Sequence, residues 1–240
     1  VGPTQMMSSD FYNIKRAADR KYGIYYHIAY MGNGPHLAVG TNPHKMLFNY
    51  TEALNRGDKE YSILNVTNVR ELILSVAANA ELVWDKDAFE IDEFQTRWCC
   101  DYYGNAQLSE LFDDYFACFM VATEEELKRD YGHRYEIYYI DTPFPYFTIN
   151  DGRARQYGLK ALKGEKITEW IGRLEESIGR FAAFYERACG YPANPYYKLF
   201  AFQSRYMMLL ETWVLNCGLY AENGDKRHLE VAADALRIYL

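Results

Sequence analysis

Tyr22-Gly23-Ile24-Tyr25-Tyr26-His27-Ile28-Ala29-Tyr30 is a run of β-branched and aromatic residues that stops at Gly32-Asn33-Gly34-Pro35. Such a composition fits a pleated, half-buried strand, and the Gly/Asn/Pro cluster supplies a turn-rich loop after it. Working outward, Asn42-Pro43 reads as a helix N-cap with proline at the first helical position, where its missing N–H is not needed. That helix carries Met46, Leu47, Tyr50, Ala53 and Leu54 and ends at Gly57. Tyr61-Ser62-Ile63-Leu64-Asn65-Val66 is a short apolar run of the kind a buried parallel strand shows, and a second helix follows from Val69 to about Trp84. Strand, helix, strand, helix is the repeat of a parallel α/β sheet or barrel. The two strands, Ile24 to Tyr30 and Ser62 to Val66, are expected to be parallel and joined by a right-handed crossover.

After Asp85 the strands largely stop. Ile91, Phe94, Trp98 and Tyr102 recur at helical spacing, as do Leu108, Leu111, Phe112 and Tyr115, and Thr123 with Glu126 forms a capping box. The stretch Tyr135 to Asn150 is aromatic and broken by proline, an extended connection. Three helices follow. Ile167, Ile171, Leu174, Ile178, Phe181 and Tyr185 line the first, which stops at Gly190; Asn194-Pro195 opens the second, lined by Tyr206, Leu210, Trp213 and Cys217; Asp225 opens the third. The fold class is therefore α/β followed by all-α, the latter a helical bundle. Two parallel strands with two helices leave sheet edges bare, and a complete (β/α)8 barrel takes about 250 residues by itself. The chain is expected to be a segment of a larger protein, and to behave poorly when cut away from the elements that should cover those edges.

Composition narrows the function. With 26 Lys+Arg against 33 Asp+Glu, the net charge of −7 describes an acidic surface that a phosphate backbone repels, so nucleic acid is not the expected partner. A hydrophobic fraction of 49% supports a real core and excludes a disordered chain. No apolar run reaches the roughly 18 to 20 residues needed to cross a bilayer, and the first residues lack the charged and apolar regions of a signal peptide. Cys99, Cys100, Cys118, Cys189 and Cys217 are odd in number and include a vicinal pair, which reads as reduced core thiols and leans towards a reducing compartment. No Cys/His cluster has zinc spacing, and His36 with His44 lacks a third ligand; no metal or other cofactor is expected. Neither a Gly-rich phosphate loop nor a Gly-x-Ser-x-Gly elbow is present. Glu124-Glu125-Glu126 reads as a solvated helix start, and Tyr138, Tyr139, Phe144, Tyr146 and Phe147 as a connection packed on the bundle rather than a sugar platform.

Order and spacing then carry a resemblance. Gly23-Ile24-Tyr25-Tyr26-His27, followed by Tyr30-Met31-Gly32 and a Gly-Pro loop, resembles the Gly-Ile-Tyr-Tyr-His segment of glycoside hydrolase family 115, the xylan α-glucuronidases. Ala53-Leu54-Asn55-Arg56-Gly57 and Ile63-Leu64-Asn65-Val66 are similar, without gaps, to that family's helix ending in Gly and its strand ending Asn-Val-Gly-Asp. Pro195-Tyr196-Tyr197-Lys198-Leu199-Phe200 and the helix to Leu219-Tyr220 resemble the helical segment after the family's barrel. The resemblance implies the C-terminal part of a TIM barrel catalytic domain in residues 1–100 and a helical bundle domain in residues 101–240. It also implies a glucuronate-bearing plant polysaccharide or oligosaccharide as ligand, and allows a homodimer of the full-length protein.

Strand ends in a barrel face the active site, so His27, Tyr30 and the loop at Asn33-Gly34 share one rim with Asn65 through Asn68. Tyr26, His27 and Tyr30 are candidates to stack on a sugar and bond its hydroxyls, Asn65 and Asn68 to hold a hydroxyl or a water, and Arg70 to meet a uronate carboxylate. Tyr25 points opposite to Tyr26 and is expected against helices. Glycoside hydrolysis uses two carboxyl groups. Asn68 stands where the family usually has Asp, Arg70-Glu71 where it has Lys-Pro, and Phe48 where it has Glu; Ser8 and Ser9 fall where it has paired aspartates. Either the acid and base lie upstream of Val1, or the chain is a divergent member that binds carbohydrate or a partner without hydrolysis.

Overall fold

The computed structural model describes residue 7 and residues 9–28, 38–67, 69–121, 139–140, 167–191 and 198–239. After a five-residue helix α1 (Ser9–Asn13), strand β1 (Ile24–His27) lies parallel to β2 (Ser62–Asn65), paired Ile24 with Ser62 through His27 with Asn65. The ladder runs slightly past both strands, through the Glu60 N–H to the Tyr22 carbonyl and the Ile28 N–H to the Asn65 carbonyl. The expected parallel pair is therefore present, with β1 ending at His27 rather than Tyr30.

Gly23 explains how the strands come so close. A Cβ at that position would lie 2.2 Å from the Tyr61 carbonyl oxygen, a backbone atom that cannot swing aside. Gly23→Ala should therefore force the strands apart at their start, lowering the unfolding free energy by about 2 kcal/mol in a denaturant titration. An alanine variant as stable as the parent would show that the contact relaxes freely.

The crossover is helix α2 (Pro43–Asn55), started by the Asn42 carboxamide accepting from the His44 N–H at 2.9 Å. It ends before Gly57, whose φ of +85° is a left-handed conformation that glycine adopts without strain. The second helix, α3 (Ile73–Trp84), starts later than Val69 because the chain first turns at residues 69–72 and buries Leu72. Tyr50 ties this unit together. Its hydroxyl lies 2.6 Å from the Ser62 Oγ of β2 and accepts from the Asn79 side chain of α3 at 2.7 Å, while its ring packs on Tyr26 at 5.7 Å.

Helix α4 (Ile91–Tyr103) closes on Gly104, φ +69°, and a 3-10 turn (Ala106–Ser109) leads into α5 (Glu110–Phe116). Met120–Val121 (β3) then pairs antiparallel with Tyr139–Ile140 (β4), of which only β4 falls within the stretch Tyr135 to Asn150 read as an extended connection. The capping box at Thr123 and Glu126 and the rest of that connection lie outside the described residues. Helices α6 (Ile167–Cys189), α7 (Lys198–Asn223) and α8 (Arg227–Tyr239) follow, the last capped by Asp225, which accepts from the Arg227 N–H at 3.0 Å.

Aromatic abundance is spent on packing. The Tyr115 ring of α5 sits 5.4 to 6.1 Å from the rings of Phe116, Phe119, Phe181, Phe184 and Phe200, mostly edge to face, the favourable arrangement for aromatic quadrupoles. One cluster of buried side chains runs from Ile24 and Tyr26 through Phe94 and Phe112 to Phe181 and Leu210, so the strands and the bundle share a core. Leu210 is buried and Trp213 packs partly buried against that cluster, as the helical spacing implies.

Candidate functional site

The alternation of a strand decides which side chains reach a ligand. Ile24 and Tyr26 face α2 and are buried, Tyr26 completely. Tyr25 and His27 face the other way, with ring centroids 4.4 Å apart, and share that open side with Ile63, which is 53% exposed. At the carboxyl end of the pair, the Asn65 amide donates to His27 Nδ1 at 2.8 Å. With Nδ1 accepting, the imidazole is neutral and its proton sits on Nε2. Strand register and one hydrogen bond thus fix a donor and an amide oxygen side by side.

Two sequence expectations are corrected by this geometry. The expectation of Tyr26 on the rim fails, because adjacent strand residues point to opposite faces and its buried ring packs on Tyr50 of α2. Tyr25 was expected against helices, and is instead 48% exposed beside His27. The parity of the strand carried that signal: whichever face takes His27 must also take Tyr25. Tyr30 and Asn68 lie outside the described residues. Arg70 is exposed in the turn after β2, where its Nε donates to Glu71 Oε1 at 2.8 Å. Glu71, met in the sequence as a departure from the family pattern, is a buried carboxylate placed just beyond the strand end.

The bundle reaches into this region. Gln203 of α7 is 1% exposed; its Oε1 accepts from the Val39 N–H at 3.0 Å and from the Tyr115 hydroxyl at 3.3 Å. Its Nε2 donates to the Glu71 carbonyl at 3.0 Å. One carboxamide therefore pins the segment leading into α2 and the turn after β2. On the opposite flank Arg16 pairs with the buried Asp58, and its guanidinium also lies over the rings of Phe11 and Tyr22. The hydrogen bond to Asp58 raises the Arg16 pKa, against the opposing effect of burial.

All five cysteines are free thiols. Cys99 and Cys118 are buried, and burial pushes each pKa up to about 12, which removes thiolate character. Cys100 and Cys189 are exposed, so the reading of core thiols does not extend to them. His44 is exposed on α2 and His36 lies outside the described residues; among the described residues no three His, Cys, Asp or Glu side chains gather in a metal-binding group. Among the same residues no helix is long and apolar enough to cross a membrane.

Two parallel strands joined by a helical crossover and followed by helices place the chain in the α/β plus helical class. Residues 9–151, more than half of the chain, match the family described as Glycosyl hydrolase family 115, and the chain belongs to that family. The match takes in β1, α2, β2 and the helices through α5, and stops short of α6. No curated protein matches the chain.

Proposed function

We propose that this chain is part of a glycoside hydrolase that removes glucuronic acid or 4-O-methylglucuronic acid side chains from xylan, with the open face of β1 and β2 turned towards the saccharide. In this reading the strands belong to the later part of a (β/α)8 barrel in residues 1–100, and residues 101–240 form the bundle domain. The hydrogen-bonded pair His27 and Asn65 at the strand ends carries the reading. His27 Nε2–H donates to a sugar hydroxyl or the uronate carboxylate, the Asn65 amide oxygen accepts from a hydroxyl, and the Tyr25 ring stacks on the sugar. Arg70, exposed and paired with Glu71 in the turn after β2, meets the uronate carboxylate by a charge-assisted bond.

Neither His27 nor Asn65 supplies the carboxyl pair that hydrolysis uses, which an inverting enzyme holds about 6.5 to 9.5 Å apart. Their task is to position substrate. His27→Ala and Asn65→Ala in the full-length protein should each lower kcat/KM on glucuronate-substituted xylo-oligosaccharides about a hundredfold, the cost of a misplaced reacting bond. The melting temperature should not fall. Unchanged turnover in both variants, or a large stability loss in both, would return the pair to a purely structural role. A second reading, binding without hydrolysis, draws on Asn68 and Arg70-Glu71 standing where the family pattern has other residues. Saccharide binding with no turnover by the parent protein would select it.

A further inference from the structure

Trp84, the last residue of α3, is 91% exposed, although large apolar side chains of its kind normally stabilise a fold by being buried. It borders an open pocket of about 410 Å³, within the size range of small-molecule sites, that it shares with Glu81, Asp85 and the small side chains Ala80 and Ala88. Buried Phe89 lines the same pocket. We propose that this pocket is a second saccharide-binding site, remote from the strand-end rim and selective for neutral sugar residues.

Each part of the pocket matches one property of a sugar ring. The indole offers a flat apolar face to the C–H groups of a pyranose. Glu81 and Asp85 offer carboxylate oxygens to its hydroxyls, and two alanines leave the neighbouring space open. Asp85 is held for this role, since its Oδ1 accepts from the Asp87 and Ala88 N–H groups, both at 3.1 Å. Glu81 is fixed by its ion pair with Arg97. A partner protein would need a broader apolar surface: a stable interface buries about 1,200 Å² or more, whereas here one ring stands among charges.

Charge sets the ligand class. Glu81 is balanced by Arg97, and Lys86 by Asp87, which leaves Asp85 as the uncompensated charge at the pocket. A uronate is repelled by it, whereas an undecorated pentose or hexose is not. Topology separates the pocket from the rim. A helix after a parallel strand runs back along the sheet, and 12 residues of α3 span about 18 Å, so Trp84 lies towards the end where the strands begin. A polysaccharide held there by an unsubstituted stretch would bring its decorated residues to the rim repeatedly.

The inference rests on carbohydrate being the substrate class, and the experiment separates the two. Affinity electrophoresis of the protein through gels containing unsubstituted xylan should show retardation. Trp84→Ala should weaken the apparent affinity about tenfold, equivalent to 1.4 kcal/mol, while Trp84→Phe keeps most of it. Asn65→Ala should be retarded like the parent, and Trp84→Ala should hydrolyse a short soluble glucuronate-bearing oligosaccharide at the parent rate. Retardation that survives Trp84→Ala overturns the site, as does binding of choline in preference to xylan. A parent protein that hydrolyses the short substrate without retardation overturns the site and leaves the rim reading standing; one that does neither removes the carbohydrate reading and the site with it.

Discussion

Gln203→Leu is expected to lower the unfolding free energy by about 4 kcal/mol, because it strands two buried backbone groups at once and removes a hydrogen bond of the Tyr115 hydroxyl. Leucine fills the space, but the Val39 N–H, the Glu71 carbonyl and the Tyr115 hydroxyl lose their bonds to the carboxamide. Each buried group left without a partner costs about 1 to 3 kcal/mol. For a chain of this size the melting temperature should fall by about 10 °C. The contacts join α7 to residues 132 and 164 positions earlier in the chain, so the loss should also loosen the segments beside His27 and Asn65. A loss below about 1 kcal/mol would show that water replaces the carboxamide.

Glu211→Gln is expected to act in the opposite direction and stabilise the protein at neutral pH. Glu211 of α7 is 1% exposed, and Ser177 of α6 lies between its Oε1, at 3.0 Å, and the Cys118 carbonyl, at 2.8 Å. A hydroxyl has one proton. If Ser177 donates to the carbonyl, only a protonated Glu211 completes the second bond. Burial pushes the Glu211 pKa up to about 8, against the lowering effects of Ser177 and the nearby Arg180.

In the unfolded chain the same carboxyl titrates near 4.3, so between about pH 4 and pH 8 the folded state holds one proton more. Stability from this group is fully present below the lower value and falls as pH rises, by about 1.4 kcal/mol per pH unit. Glutamine keeps a donor for Ser177 and has no proton to lose. The variant should therefore gain on the order of 3 kcal/mol over the parent at pH 7, and the gap should close near pH 4. Parallel stability curves for parent and variant from pH 4 to 8 would place a charged carboxylate in the bundle instead.

The parallel pair and the helices were legible because local signals agree: β-branched runs, the Asn42-Pro43 cap, and glycines at helix ends. Boundaries were less so. The turn at residues 69–72 delays α3 because Leu72 is drawn into the core, a tertiary demand that periodicity does not display. Within the site, His27 and Asn65 could be placed together from strand register alone, whereas Tyr25 and Tyr26 were exchanged. Aromatic identity is the same at both positions, so only parity distinguishes the packed ring from the open one. Gln203 and Glu211 carry no local pattern at all. Their importance comes from partners distant in sequence.

The central claim is that the strand-end pair forms the saccharide site, and imidazole NMR of the full-length protein tests it most directly. The account predicts a His27 ring with Nδ1 unprotonated and Nε2 protonated, whose Nε2–H signal shifts and saturates as a glucuronate-substituted xylo-oligosaccharide is titrated in, and fails to do so in Asn65→Ala. A His27 signal that stays fixed while the saccharide binds would contradict it.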